Sequence, residues 1–164
     1  MGDRCWARAL FHPDDYNNLI AEVPRTDYIS YEPLPPVPGG GPTKENGWCE
    51  EWVLDKEHGR IEHVMCDLNY AGYDDFSLLA EARVRFLVWH GPGGNYGPGS
   101  YVSCGDGVFH SVATDHDGEN PIVELNDNGL TNKAQLARGR KFLKARAKLS
   151  AQFDEKAKEY ANET

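Results

Sequence analysis

Between residues 51 and 125 the apolar positions recur in short alternating runs separated by turn residues, the pattern of β-strands laid side by side. Glu51 to Asp55 and Arg60 to Tyr70 flank Lys56-Glu57-His58-Gly59 and are expected to pair as a hairpin, with Gly59 supplying a left-handed turn position. In the second run Val64, Cys66 and Leu68 share a face, with Glu62 on it near the end. Ala82 to His90 alternates most cleanly: Val84, Phe86 and Val88 point one way and Arg83 and Arg85 the other, until Leu87 and Trp89 make both faces apolar. A strand end that is apolar on both faces needs a cover on each, so a further element is expected over it. Tyr101 to Cys104 and Val108 to Thr114 join through Gly105-Asp106-Gly107 as a second hairpin, and Asp115-His116-Asp117-Gly118 leads to a last run, Ile122 to Leu125.

The helical period appears near both ends of the chain. His12-Pro13-Asp14-Asp15 followed by Tyr16, Leu19, Ile20 and Val23 predicts a short helix that stops at Pro24, and Asp74 to Ala80 predicts a helical turn. From 131 to 162 the chain reads as one long amphipathic helix, capped by Thr131 or Asn128. At 100° per residue Leu136, Phe142, Leu143, Leu149 and Phe153 fall on one broad arc, opposite Lys133, Arg140, Lys141, Lys144 and Lys148. The expected fold is therefore α+β: an antiparallel β-meander of five or six strands, a short N-terminal helix and the long C-terminal helix packed on the sheet, in one domain spanning 1–164. The Pro/Gly-rich stretch 31–47 is expected as a surface loop within it, because fixed φ angles and missing N–H donors exclude helix and interior strand. Gly91 to Gly99 reads as a long hairpin loop, since neither GxGxxG before a helix nor a Walker pattern occurs.

Charge divides the chain in two. Residues 1 to 130 hold 8 Lys/Arg and 22 Asp/Glu, while 131 to 164 hold 9 and 4, with no acid between Thr131 and Phe153. An acidic body carrying a basic helix suits electrostatic contact. The acidic body would repel a polyanion, which argues against nucleic acid as the partner. No apolar run reaches the ~18 residues of a membrane span, and no basic and apolar leader opens the chain, so a cytoplasmic location without membrane contact is expected. Cys5, Cys49, Cys66 and Cys104 are scattered without a CxxC pair and read as reduced thiols.

These features lead first to a non-enzymatic acidic interaction protein, an inhibitor, adaptor or immunity-type binder. Its contact residues are expected among the exposed aromatics Tyr31, Tyr73 and Tyr96 and the basic Arg140, Lys144 and Lys148, and its partner is expected to be a protein that is basic or has a basic groove.

A second reading starts at Cys5-Trp6, placed just before or at the start of a helical segment whose dipole would favour a thiolate. Downstream, Phe109-His110-Ser111-Val112 sets a histidine on a strand, and Glu124-Leu125-Asn126-Asp127 ends the next one. This order of parts resembles the papain-like cysteine hydrolases, although the chain between lacks the several helices usual there. The resemblance implies Cys5 as nucleophile, His110 as base and Asn126 as the group that orients it. A third reading, by analogy with helix-grip folds, is a small-ligand binder in which the long helix closes the concave side of the sheet. His90, His110, Asp115, His116 and Asp117 stand near strand ends with metal-compatible chemistry but no short signature, so neither metal nor cofactor is expected.

Overall fold

A computed structural model describes residues 4–26, 29 and 51–163, apart from the side chains at 51, 66, 67 and 69. The expected surface loop 31–47, with Tyr31, and Cys49 lie outside the described residues. Six strands, β1 (Arg4–Phe11), β2 (Glu51–Asp55), β3 (Arg60–Asn69), β4 (Phe86–His90), β5 (Gly99–Ser103) and β6 (His110–Ala113), form one antiparallel sheet in the order β2-β3-β1-β4-β5-β6. Among the described residues three α-helices accompany it, α1 (Tyr16–Glu22), α2 (Tyr73–Glu81) and α3 (Lys133–Asn162). Among the described residues no helix is long and apolar enough to cross a membrane.

The sheet is the middle of three layers. On one face Cys5, Ala7, Ala9 and Phe11 of β1 pack with Ile61 and Met65 of β3, Phe86 and Val88 of β4 and Tyr101 of β5 against Leu19 and Val23 from the α1 region and Phe76, Leu79 and Ala80 of α2. On the other, Leu10, Leu87, Val102 and Cys104 meet Phe142, Ala145, Leu149 and Phe153 of α3. Both apolar faces of β4 are thus covered, as its sequence requires. Each fully buried large side chain contributes about 1.5–3 kcal/mol, so Phe142 and Leu149 alone hold α3 firmly to the sheet. At its far end Lys156 pairs with Asp14 at 2.7 Å, and the β2–β3 turn passes so close beneath that a side chain at Gly59 would meet the Phe153 carbonyl oxygen at 2.2 Å.

Five local expectations change. The N-terminal segment holding Cys5 is the sheet's central strand and not a helix start; β1 lies between β3 and β4 and so interrupts the meander once. In β3 the inward residues are Ile61, His63 and Met65, whereas Glu62 and Val64 are half-buried on the other face. A bulge between Met65 and Leu68, opposite Cys5 to Ala7, then returns Leu68 to the core. The strand expected from Ala82 starts at Phe86, because α2 continues to Glu81 and closes through Arg83 N–H to Ala80 O and Val84 N–H to Leu79 O. Ile122 to Leu125 forms no strand: isolated bridges join Pro121, just before it, with Thr114 and its last residue, Leu125, with Thr131. The cap of α3 is Asn132, whose side chain accepts from the N–H groups of Ala134 and Gln135.

Candidate functional site

Gly139, Phe142, Ala145 and Leu149 face inward from the first half of α3, and basic residues dominate its outer face. Residues 133 to 148 contain seven Lys/Arg and no acid; Lys133, Arg138, Arg140, Lys141, Lys144 and Lys148 are exposed and make no ion pair among the described residues. Arg146, half-buried, donates to the Glu119 carbonyl. At 1.5 Å per residue the stripe is about 22 Å long. Leu143, expected inward, is 41% exposed on its flank, because Gly139, Phe142, Ala145 and Leu149 fill the narrower seam that reaches the sheet. Beside the helix start, Ile122, Leu125 and Leu130 are also exposed, and a cleft of about 250 Å³ opens between Ile122, Glu124, Gln135 and Arg138.

The structure separates Cys5 from His110. His110 is paired with Val102, whose side chain lies in the α3 core, whereas Cys5 belongs to the core on the α1–α2 side. Directly paired residues point to the same face, so the two candidates occupy opposite faces of the sheet. They also differ in row: Val102 pairs with Leu87 and Leu87 with Leu10, which is five residues along β1 from Cys5. Burial raises the Cys5 thiol above the ordinary range, and hydrogen bonds with the Tyr96 side chain and the Ala71 backbone oppose this without reversing it. A strand interior offers no helix dipole to offset that burial. Asn126 is equally remote from a catalytic role: its side-chain oxygen accepts from the N–H groups of Asn128 and Leu130 and so closes its own turn.

Tyr73 and Tyr96, expected as separate contact residues, converge. They line a cavity of about 310 Å³ on the α2 side of the sheet, together with Tyr70, His90, Tyr101 and Ser111. The Gly-rich loop makes this convergence possible. A side chain at Gly93 would collide with the Tyr96 ring at 2.3 Å, and one at Gly99 with His90 Nε2 at 2.4 Å. His90 Nδ1 lies 2.9 Å from the Gly91 carbonyl, which fixes the proton on that nitrogen, and burial lowers the basicity of the ring. Burial likewise pushes the Tyr101 phenol far up, with Cys5, Tyr96 and Tyr73 adding to the effect. The lining is therefore rich in aromatic rings and has no Asp, Glu, Lys or Arg among its described residues. Sequence alone pointed to Tyr73 and Tyr96 but missed Tyr70 and Tyr101, and it considered His90 only as a metal ligand.

Among the described residues no three His, Cys, Asp or Glu side chains come together in a way that would hold a metal ion. Asp115 instead accepts from the backbone of Glu119 and Asn120 and organises the turn after β6. The chain matches no family model, and no curated protein or solved structure is significantly similar to it.

Proposed function

We propose that this is a non-enzymatic interaction protein, of the inhibitor, adaptor or immunity type, that works by electrostatic protein–protein contact. Its contact surface is the basic face of α3, and its partner presents an acidic protein surface. The observation that carries this reading is the set of six exposed Lys/Arg along 133–148, unpaired among the described residues, on a helix whose opposite face is anchored in the core. A surface held rigid before contact loses little order on binding, which leaves more of the Coulombic attraction for affinity. The neighbouring Ile122, Leu125 and Leu130 offer apolar contact that charge alone lacks. The partner sought from sequence, a basic one, fits this face less well. The acidic remainder of the chain, 22 Asp/Glu against 8 Lys/Arg, favours a compact acidic patch over a long polyanion, which it would repel.

The test is charge reversal at Arg140, Lys144 and Lys148. All three are exposed and off the packed seam, so the triple Glu variant is expected to keep its unfolding temperature within a few degrees while losing roughly tenfold or more in affinity for the proteins captured by the native chain. An identical set of captured proteins at unchanged affinity would assign the stripe to solvent and overturn the reading.

A further inference from the structure

The tyrosine cavity has no part in the electrostatic contact, and its chemistry is different. We propose that it is an aromatic cage for a trimethylammonium group. Four rings run round it in sequence: Tyr73 meets Tyr101 with centroids 5.7 Å apart and planes at 88°, Tyr101 meets His90 at 5.0 Å and 36°, and His90 meets Tyr96 at 5.8 Å and 71°. Two of these three junctions are steep, so the rings bend round the cavity instead of stacking into one slab, and a π-face turned to such a space attracts a cation. Tyr70 stands at the mouth, 61% exposed.

The lining selects which cation. No Asp, Glu, Lys or Arg is among the described lining residues, so a primary ammonium would leave N–H donors without a charged acceptor. A trimethylammonium group has no N–H to satisfy and presents methyl groups to the rings. The wider field is also favourable: from Phe86 to Asn132, the stretch that supplies His90, Tyr96, Tyr101 and Ser111, the chain has six Asp/Glu and no Lys/Arg.

The backbone carries a cost at this place. Tyr70 (φ 47°) and Ala71 (φ 54°) precede Gly72 (φ 62°) in the left-handed region, at about 1–2 kcal/mol for each of the two non-glycine residues. Ala71 is 2% exposed, and the Cys5 thiol bonds to its backbone. The strained turn lies between Tyr70 and Tyr73 in the chain, and both line the cavity. Strain kept at one wall of a cavity is the pattern of a binding site.

The experiment uses the full chain with its tyrosine ring signals followed by NMR, and three probes: choline, the uncharged isostere 3,3-dimethylbutan-1-ol, and a short peptide containing trimethyllysine. Choline is expected to shift the Tyr70, Tyr73 and Tyr96 signals saturably, and the uncharged isostere to bind about tenfold more weakly. Tyr73→Leu, at a position 47% exposed, is expected to weaken choline about fivefold without unfolding the chain. Tighter binding of the peptide than of choline would assign the trimethylammonium group to a modified protein, and equal or weaker binding to a free small molecule. No shift up to about 50 mM choline, or equal affinity for the isostere, would overturn the proposal, since a cage for a cation must distinguish charge.

Discussion

Arg83 occupies a backbone position that ordinarily belongs to glycine. Its φ of 63° lets α2 close with the paired bonds from Arg83 N–H to Ala80 O and from Val84 N–H to Leu79 O, the two-bond stop that usually places glycine at this point. The side chain is exposed and no hydrogen bond or ion pair is seen for it among the described residues, so little offsets the strain. Arg83→Gly is therefore expected to stabilise the protein by about 0.5–1 kcal/mol, because the relief of left-handed strain exceeds the added freedom of the unfolded glycine. The measurement is thermal unfolding, with a rise of about 1–4 °C; a fall would mean that the arginine side chain holds something in place. Tyr70 and Ala71 show the same backbone strain, but there it shapes the wall of a cavity, and glycine at Tyr70 would remove a ring from the site.

Among the elements, the join between the N-terminal turn and α3 depends on a neutral histidine. His12 is 3% exposed; its Nδ1 accepts from Asp14 N–H at 3.2 Å, which leaves the proton on Nε2 to donate to the Gln152 carbonyl at 3.3 Å, and the ring stacks on Phe153. Burial and then the nearby Arg85 lower its pKa, and burial does the same to His90. For such groups the unfolded chain takes up the proton first. Stability is therefore complete above the ordinary histidine value of about 6.5 and is lost as the pH falls below it. Asp14, Asp106 and Asp115, held below the usual carboxylate range, weaken the fold only at a more acid pH. In urea unfolding the midpoint should drop between about pH 7.5 and about pH 5, and His12→Gln, which cannot titrate, should show a smaller drop. Equal midpoints at both pH values would mean that neither histidine is buried as neutral imidazole.

The whole molecule carries a net charge of −9, yet its most concentrated charge is the positive stripe on one helix. A body of one sign bearing a ridge of the other has a strong dipole, which orients an approaching partner before contact. Association through α3 should accordingly weaken, chiefly by slower encounter, as salt rises from about 50 to about 300 mM and the Debye length shortens. Stopped-flow or surface-capture rates measure this directly; rates indifferent to salt would place the contact on an apolar surface such as Ile122, Leu125 and Leu130. The trimethylammonium site should respond much less, because its charge is met by ring faces inside a cavity.

Local pattern determined a large part of this protein: the antiparallel runs of the middle, the long C-terminal helix, its inward Phe142, Leu149 and Phe153 and its outward basic stripe. Each follows from a two-residue or 3.6-residue period that one segment carries by itself. Only the tertiary structure decided where the remaining pieces went. Arg4–Phe11 does alternate, with Cys5, Ala7, Ala9 and Phe11 inward, but its alanines suit a helix as well, and its place in the centre of the sheet comes from pairing with β3 and β4 far along the chain. The bulge that turns Leu68 inward exists only against β1. The separation of Cys5 from His110 onto opposite faces, and the meeting of Tyr70, Tyr73, His90, Tyr96 and Tyr101, follow from strand order and register. Those are properties of contacts between distant segments, and no single stretch of the chain contains them.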